Sequence, residues 1–240
     1  MSTGYRIAAR LAQQKDLTRI DTESHFARCV KDLFARVRPR RVIETGTYHG
    51  TGTTTVIARA LRDLAIDEAR FISIEVNPRN ITRATTNLQN EDLSVELFNG
   101  LSVPRALLPD LQAIETELVK NVLADGLVVD HEEPERARLY YGETDFAALP
   151  DDMLGTALAE FDYRPDFVLL DSGGHMGYVE FQYLISRLQA PCHLALDDIF
   201  HVKHFRSFHD IRNDPRFKLL VASEEKFGFC IAMFDPNSGR

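Results

Sequence analysis

Short apolar runs of β type alternate with helical patterns along this chain, and that alternation leaves few architectures open. "RVIET" (41–45) leads into a helical pattern over about Thr53 to Leu64, and "FISIEV" (71–76) into one over about Asn80 to Gln89. "VELFNG" (95–100), "DFVLLD" (166–171) and "HLALDD" (193–198) continue the series, with the helical stretch "GYVEFQYLISRL" (177–188) between the last two. Strands separated in this way are joined by right-handed crossovers, which makes them parallel. Their apolar character suits strands covered on both faces.

The C-terminal "FKLLVASEEKFGFCIAMFD" (217–235) holds two further strand-like runs with only a short polar turn between them. No helix fits there, so an antiparallel hairpin is expected to close the sheet. The expected fold is α/β, a Rossmann-like, doubly wound, mostly parallel sheet of seven strands. Before the first strand, Phe26, Val30, Leu33, Phe34 and Val37 recur at helical spacing until Pro39, which predicts a helix that packs on the sheet or covers the ligand pocket.

At 240 residues the chain is read as one domain over 1–240, with an N-terminal helical region over about 1–38. The stretch 117–163 is too long for an ordinary crossover and reads as an insertion. Within it "GLVVDHEEPERARLYYG" suggests a hairpin with its tip around Pro134, and "PDDMLGTALAEF" a short helix. A structural decoration, an oligomer contact in a homo-oligomer and a substrate lid are all open for it.

A formal net charge of −8 argues against a broad nucleic-acid surface, and a small-molecule partner fits better. Cys29, Cys192 and Cys230 are far apart in apolar contexts and read as reduced core residues. With no run long enough to cross a bilayer and no apolar centre in the first residues, the expectation is a cytoplasmic protein without membrane association.

"IETGTYHGTGTTT" (43–55) follows the first strand and carries the chemistry. A phosphate-binding loop would end in Gly-Lys-Ser/Thr, and Gly52 is followed by Thr53 with no lysine in the loop. A dinucleotide site would read G-x-G-x-x-G, whereas Gly46, Gly50 and Gly52 are spaced G-x-x-x-G-x-G. Glu44, two residues before the first glycine, would repel a pyrophosphate but could orient an ammonium group, directly or through water. Glu75 ends the second strand, where an acceptor can take both hydroxyls of a ribose. An adenosine carrying a positively charged amino-acid tail satisfies both acids.

With these residues the chain resembles the class I S-adenosylmethionine-dependent methyltransferases, and among them it is most similar to the metal-dependent catechol-type O-methyltransferases and their natural-product relatives. The resemblance rests on "ETGTYHG", "IEVNP", "GLS" (100–102), "LLDSGGH" and "LALDD", in that order over about Arg41 to Asp198. It implies cofactor contacts at Glu44, Gly46, Tyr48, Gly50, Glu75, Gly100, Ser102 and Asp171.

Asp171, Asp197 and Asp198 end neighbouring strands and should converge at the sheet's carboxyl edge. Three carboxylates in a partly buried cleft need neutralising, and hard oxygen ligands select Mg²⁺ or a similar divalent ion. The resemblance places the family's ion on the same three positions, although the catechol enzymes carry Asp-Asn where this chain has Asp-Asp. The other reading has Asp197 or Asp198 capping the next helix. Such an ion would chelate a hydroxyl pair and align one oxygen with the sulfonium methyl. The catechol enzymes place a basic lysine three residues after the strand-four aspartate; here Gly174 stands there, and His175 is the nearest candidate base. "HVKHFRSFH" adds His201, Lys203, His204 and His209, read as a solvated helix face within reach of substrate rather than a zinc site.

The expected function is S-adenosylmethionine-dependent, divalent-metal-assisted O-methylation of a small hydroxylated molecule. The alternatives are a metal-independent N- or O-methyltransferase, and a non-catalytic cofactor-binding protein that docks a partner through the insertion.

Overall fold

The computed structural model describes residues 23–66, 68–121, 138, 141 and 147–238. The elements run α1 (His25–Val37), β1 (Arg41–Thr45), α2 (Thr53–Asp63), β2 (Arg70–Glu75), α3 (Pro78–Asn90) and β3 (Glu96–Asn99). After a 3-10 turn come α4 (Leu111–Asn121), α5 (Met153–Glu160), β4 (Phe167–Leu170), α6 (Met176–Ile185), β5 (Cys192–Asp197), α7 (Phe205–Asn213), β6 (Phe217–Ser223) and β7 (Phe229–Phe234).

The seven strands form one sheet in the order β3-β2-β1-β4-β5-β7-β6. Strands β1 to β5 pair in parallel, with Ile43 beside Ile72 on one side and Val168 on the other. β7 runs antiparallel to both β5 and β6, so the expected hairpin is present. Its second strand, however, enters the sheet first and leaves β6 on the edge. Composition explains that order: "FCIAMF" is almost wholly buried, whereas Leu219 and Leu220 of β6 are exposed.

Side chains alternate across the sheet with a period of two. Ile43, Val168, Leu170 and Leu194 point to one face and pack with Leu154 and Leu158 of α5 and Phe181 and Leu184 of α6. Val42, Phe167, Leu169 and Ala195 point to the other and pack with α1 and α2.

Helix α1 starts at Ser24, whose Oγ accepts from the Ala27 amide, and buries the predicted face. Its Phe34 meets Phe167 edge-on at 5.0 Å and its Phe26 meets Phe229 at 5.3 Å. Of its two expected placements, α1 takes the one on the sheet.

The short helix expected from "PDDMLGTALAEF" is α5, capped by the Asp152 side chain on the Gly155 amide. The hairpin expected around Pro134 lies outside the described residues. Among the described residues, no helix is long and apolar enough to cross a membrane.

Candidate active site

Connections leave β1 and β4 towards opposite edges of the sheet, which opens a crevice at their carboxyl ends. The crevice there has a volume of about 590 Å³, and its lining includes Gly46, Glu75, Ser102, Asp171, His175 and Glu180. Leu108, Ile114 and Tyr141 add an apolar wall from the segment between β3 and β4. A hollow of about 630 Å³ at the opposite ends of the strands is a different kind of place. Its Arg41 and Arg70 are engaged by Asp166 at 2.6 Å and Glu160 at 3.4 Å, an arrangement of surface ion pairs.

Gly46 makes the turn off β1 possible. Its φ is +88°, and a Cβ would fall 2.3 Å from the Asp171 carbonyl oxygen, so the β1 and β4 ends approach as closely as bare backbone allows. The turn brings the Tyr48 amide to donate to Glu75 Oε2 at 2.7 Å, while the Asn77 amide donates to Oε1 at 2.8 Å. Burial pushes the Glu75 carboxyl up, and these amides pull it part of the way back. The result is an oriented carboxylate on the cleft wall.

The Tyr48 ring is 54% exposed, stacks on His49 at a centroid distance of 3.8 Å, and lines the mouth of the cleft. Gly100 lines the cleft and donates its amide to the Glu75 carbonyl. Gly50 does not line it. A Cβ there would meet Ala84 and Leu88 at 3.2 Å, so its bareness serves the packing of α3.

Glu44 is placed differently from its sequence reading. The period-two alternation that sends Val42 towards α2 sends Glu44 there too, beneath the glycine turn, where it is 0% exposed. Thr53 Oγ1, Thr54 Oγ1 and Ser73 Oγ each donate to its carboxylate at 2.6 Å. Burial, only partly offset by these hydroxyls, pushes its pKa up to about 7. Glu44 fastens the turn to α2 and β2 and does not reach the cleft. Its link to the site is indirect, through Thr53 Oγ1, which also lies 3.3 Å from Asp171 Oδ2.

The floor of the cleft holds an acid that the sequence reading passed over. Glu180 of α6 is fully buried, and its carboxylate accepts from Ser172 at 2.7 Å, Thr45 at 2.8 Å and Ser102. Burial raises its pKa against those three bonds. The signal was present: a glutamate on the inward face of "GYVEFQYL" is out of place unless hydroxyls meet it. The Ser102 hydroxyl, expected at the cofactor, is turned onto Glu180.

Asp171, Asp197 and Asp198 do converge, each offering a carboxylate oxygen within 4.8 Å of the others. Neither strand-five acid caps a helix, because α7 begins only at Phe205. Asp198, just past the end of β5, has φ +59°, which breaks the strand there. At the centre lies Lys203, 4% exposed, with Nζ 2.6 Å from Asp171 Oδ1 and 2.8 Å from Asp198 Oδ2.

Burial works against the Lys203 charge, but the three acids overcome it and hold its pKa well above the ordinary value. The acids respond unequally. Burial raises Asp171 despite Lys203; burial, then Asp198 and Asp171, hold Asp197 well above the carboxylate range; in Asp198 burial is the largest single influence, but Lys203, His201 and His204 together outweigh it and the pKa falls.

The ammonium takes Asp171 Oδ1 and Asp198 Oδ2, so a divalent ion at the cluster would share those two carboxylates with it. Two cations about 4 Å apart repel by about 4 kcal/mol per unit charge product at an effective dielectric near 20. As placed, Asp171 and Asp198 already hold an ammonium, and a divalent ion beside it would meet that repulsion.

His175 stands at the N-cap of α6 and lines the cleft next to Asp171 and Ser172. The segment "HVKHFRSFH" is not the solvated helix face read from sequence. His201, Lys203 and His204 precede α7 and are buried; of the three histidines only His209 lies on its outer side. His204 Nε2 is 3.2 Å from the Leu170 carbonyl, and burial, then Lys203, depress its pKa to about 3. A neutral imidazole bonded to that carbonyl is a structural fastening.

The sequence matches no protein-family model and no curated protein. Solved structures supply the comparison. An O-methyltransferase from Bacillus cereus in complex with SAH matches over 97% of this chain and 90% of its own, with a TM-score of 0.55 at 17% identity. The fold is one that O-methyltransferases use. TomG, an O-methyltransferase from Streptomyces achromogenes involved in tomaymycin synthesis and solved with SAM, matches over 97% and 89% at TM-score 0.53 and 16% identity. A putative caffeoyl-CoA O-methyltransferase from Staphylococcus aureus matches over 97% and 98% at 0.52 and 13%. The likeness to these methyltransferase structures spans nearly the whole chain, which agrees with the ordered motifs of the sequence.

Proposed function

We propose that this chain is an S-adenosylmethionine-dependent methyltransferase that acts on a hydroxyl group of a small molecule. The observation that carries the reading is Glu75, a carboxylate oriented by two backbone amides on the wall of a crevice beside the Gly46 turn. Such a group accepts from both hydroxyls of a ribose, and a crevice of this size suits a nucleoside with its amino-acid tail.

In this reading the Gly46 turn lets the donor lie against bare backbone, and Asp171 faces its ammonium group. Gly100 and Leu101 close the cleft around the adenine. The donor supplies a methyl carbon on a sulfonium. The acceptor oxygen attacks that carbon as the carbon–sulfur bond breaks, and the acceptor's proton passes to His175 on the same wall. Leu108, Ile114 and Tyr141 give the acceptor an apolar surface. No step uses a divalent ion.

Calorimetry with S-adenosylhomocysteine should show binding, and radiolabelled donor should methylate some member of a panel of phenols, catechols and hydroxylated natural products. Absence of S-adenosylhomocysteine binding, with NAD(P) raising the melting temperature instead, would overturn the proposal. Binding with no turnover across the panel would favour the non-catalytic reading.

A further inference from the structure

The three strand-end acids pose a question that the methyl-transfer reading leaves open: which cation holds them together. We propose that the Lys203 ammonium, rather than a divalent metal ion, is the resident cation of the Asp171, Asp197 and Asp198 cluster, and that it positions Asp171 on the cleft wall. The inference rests on the methyltransferase reading only for its consequence in turnover.

Lys203 is built into place. The residues on both sides of it are anchored: the His201 amide donates to the Asp198 carbonyl at 3.0 Å, and the Phe205 amide donates to the His201 carbonyl at 2.9 Å. The neighbouring His204 ring bridges the Leu170 carbonyl at 3.2 Å and Ser207 Oγ at 3.1 Å, which pins the segment to the end of β4. On the other side Gly177 of α6 makes room. A Cβ there would lie 2.6 Å from the Lys203 carbonyl oxygen and 2.7 Å from Lys203 Cγ.

The lysine stem is therefore wedged between α6 and the strand ends, unlike a surface lysine free to swing into water. Its Nζ meets Asp171 Oδ1 at 2.6 Å and Asp198 Oδ2 at 2.8 Å, distances of charge-assisted hydrogen bonds. Lys203 does not line the cleft; Asp171 does. Lys203 thus acts through Asp171 as a positioning residue. Sequence alone pointed to a metal because three acids at adjoining strand ends need a cation, and a lysine in the segment after β5 cannot be seen folding back onto them.

Electron paramagnetic resonance of Mn²⁺ added to the full chain tests this directly, since bound and free Mn²⁺ differ in signal and no methyl donor is needed. The wild type should bind no Mn²⁺ at the cluster, and chelator should leave its melting temperature and any methyl transfer unchanged. Lys203→Met should gain a Mn²⁺ site that a second change, Asp198→Asn, removes. A wild-type chain that binds Mn²⁺ in an Asp198-dependent way overturns the proposal, as does a folded Lys203→Met chain that gains none. Should that variant not fold, the wild-type spectrum decides. Calorimetry with S-adenosylhomocysteine on the same sample reports the methyltransferase reading separately, so the two failures are distinguishable.

Discussion

At the carboxyl ends of β1 and β2, two acids are met by neutral donors: Glu44 by three hydroxyls and Glu75 by backbone amides. At the ends of β4 and β5, three acids converge and two of them, Asp171 and Asp198, hold one ammonium. The first arrangement suits separate carboxylates, each of which can be satisfied by donors on its own turn. The second is forced by crowding, because like charges this close need an opposite charge. One end can therefore offer its acceptor to a neutral hydroxylated ligand, and the other holds a fixed ion pair beside it.

The sharpest break in this contrast is loss of the ammonium. Lys203→Met should lower stability by about 3–5 kcal/mol at neutral pH, because it leaves buried carboxylates without their partner. The deficit should shrink as the pH falls and those acids take up protons, which denaturant unfolding at several pH values would show. A deficit independent of pH would mean that packing of the lysine stem, and not charge, is what matters.

At the neutral end, Glu75→Ala should weaken S-adenosylhomocysteine binding roughly a hundredfold, about 2–3 kcal/mol, by removing a hydroxyl acceptor and stranding the Tyr48 amide. Calorimetry that finds an unchanged affinity would remove Glu75 from the donor site.

Glu44 gives a smaller effect of defined sign. Its pKa rises from 4.5 to about 7 on folding, so the folded chain holds that proton more tightly than the unfolded one. The corresponding stability is present below pH 4.5 and is lost as the pH climbs through 7. Glu44→Gln lacks this dependence, so its melting temperature should gain on the wild type as the pH rises across that window. Parallel curves would show that Glu44 is no longer proton-linked to folding.

The smallest change is expected at Tyr48, whose amide rather than its ring meets Glu75. Tyr48→Ala should shift stability by no more than about 0.5 kcal/mol and leave S-adenosylhomocysteine affinity within roughly threefold.

Much of this site was legible in the sequence, and the exceptions have physical causes. Glu75 and Gly46 could be read because their roles are local: a strand end and a turn whose geometry the neighbouring residues impose. Glu44 was misplaced because the two-residue period of a strand decides which face a side chain takes, and that period outweighed its nearness to the glycines. Glu180 was missed because its three hydroxyl partners come from three separate segments. The histidines after β5 read as an exposed helix face, since their spacing suits one, but the helix starts only after them.

Alternating strand and helix patterns, by themselves, determined a parallel sheet with its acids at one edge, because hydrophobic period and turn chemistry are local properties of the chain. What neutralises those acids was decided only by the tertiary structure. Lys203 reaches Asp171 from 32 positions away, and a charge brought that distance by packing leaves no spacing in the sequence to announce it.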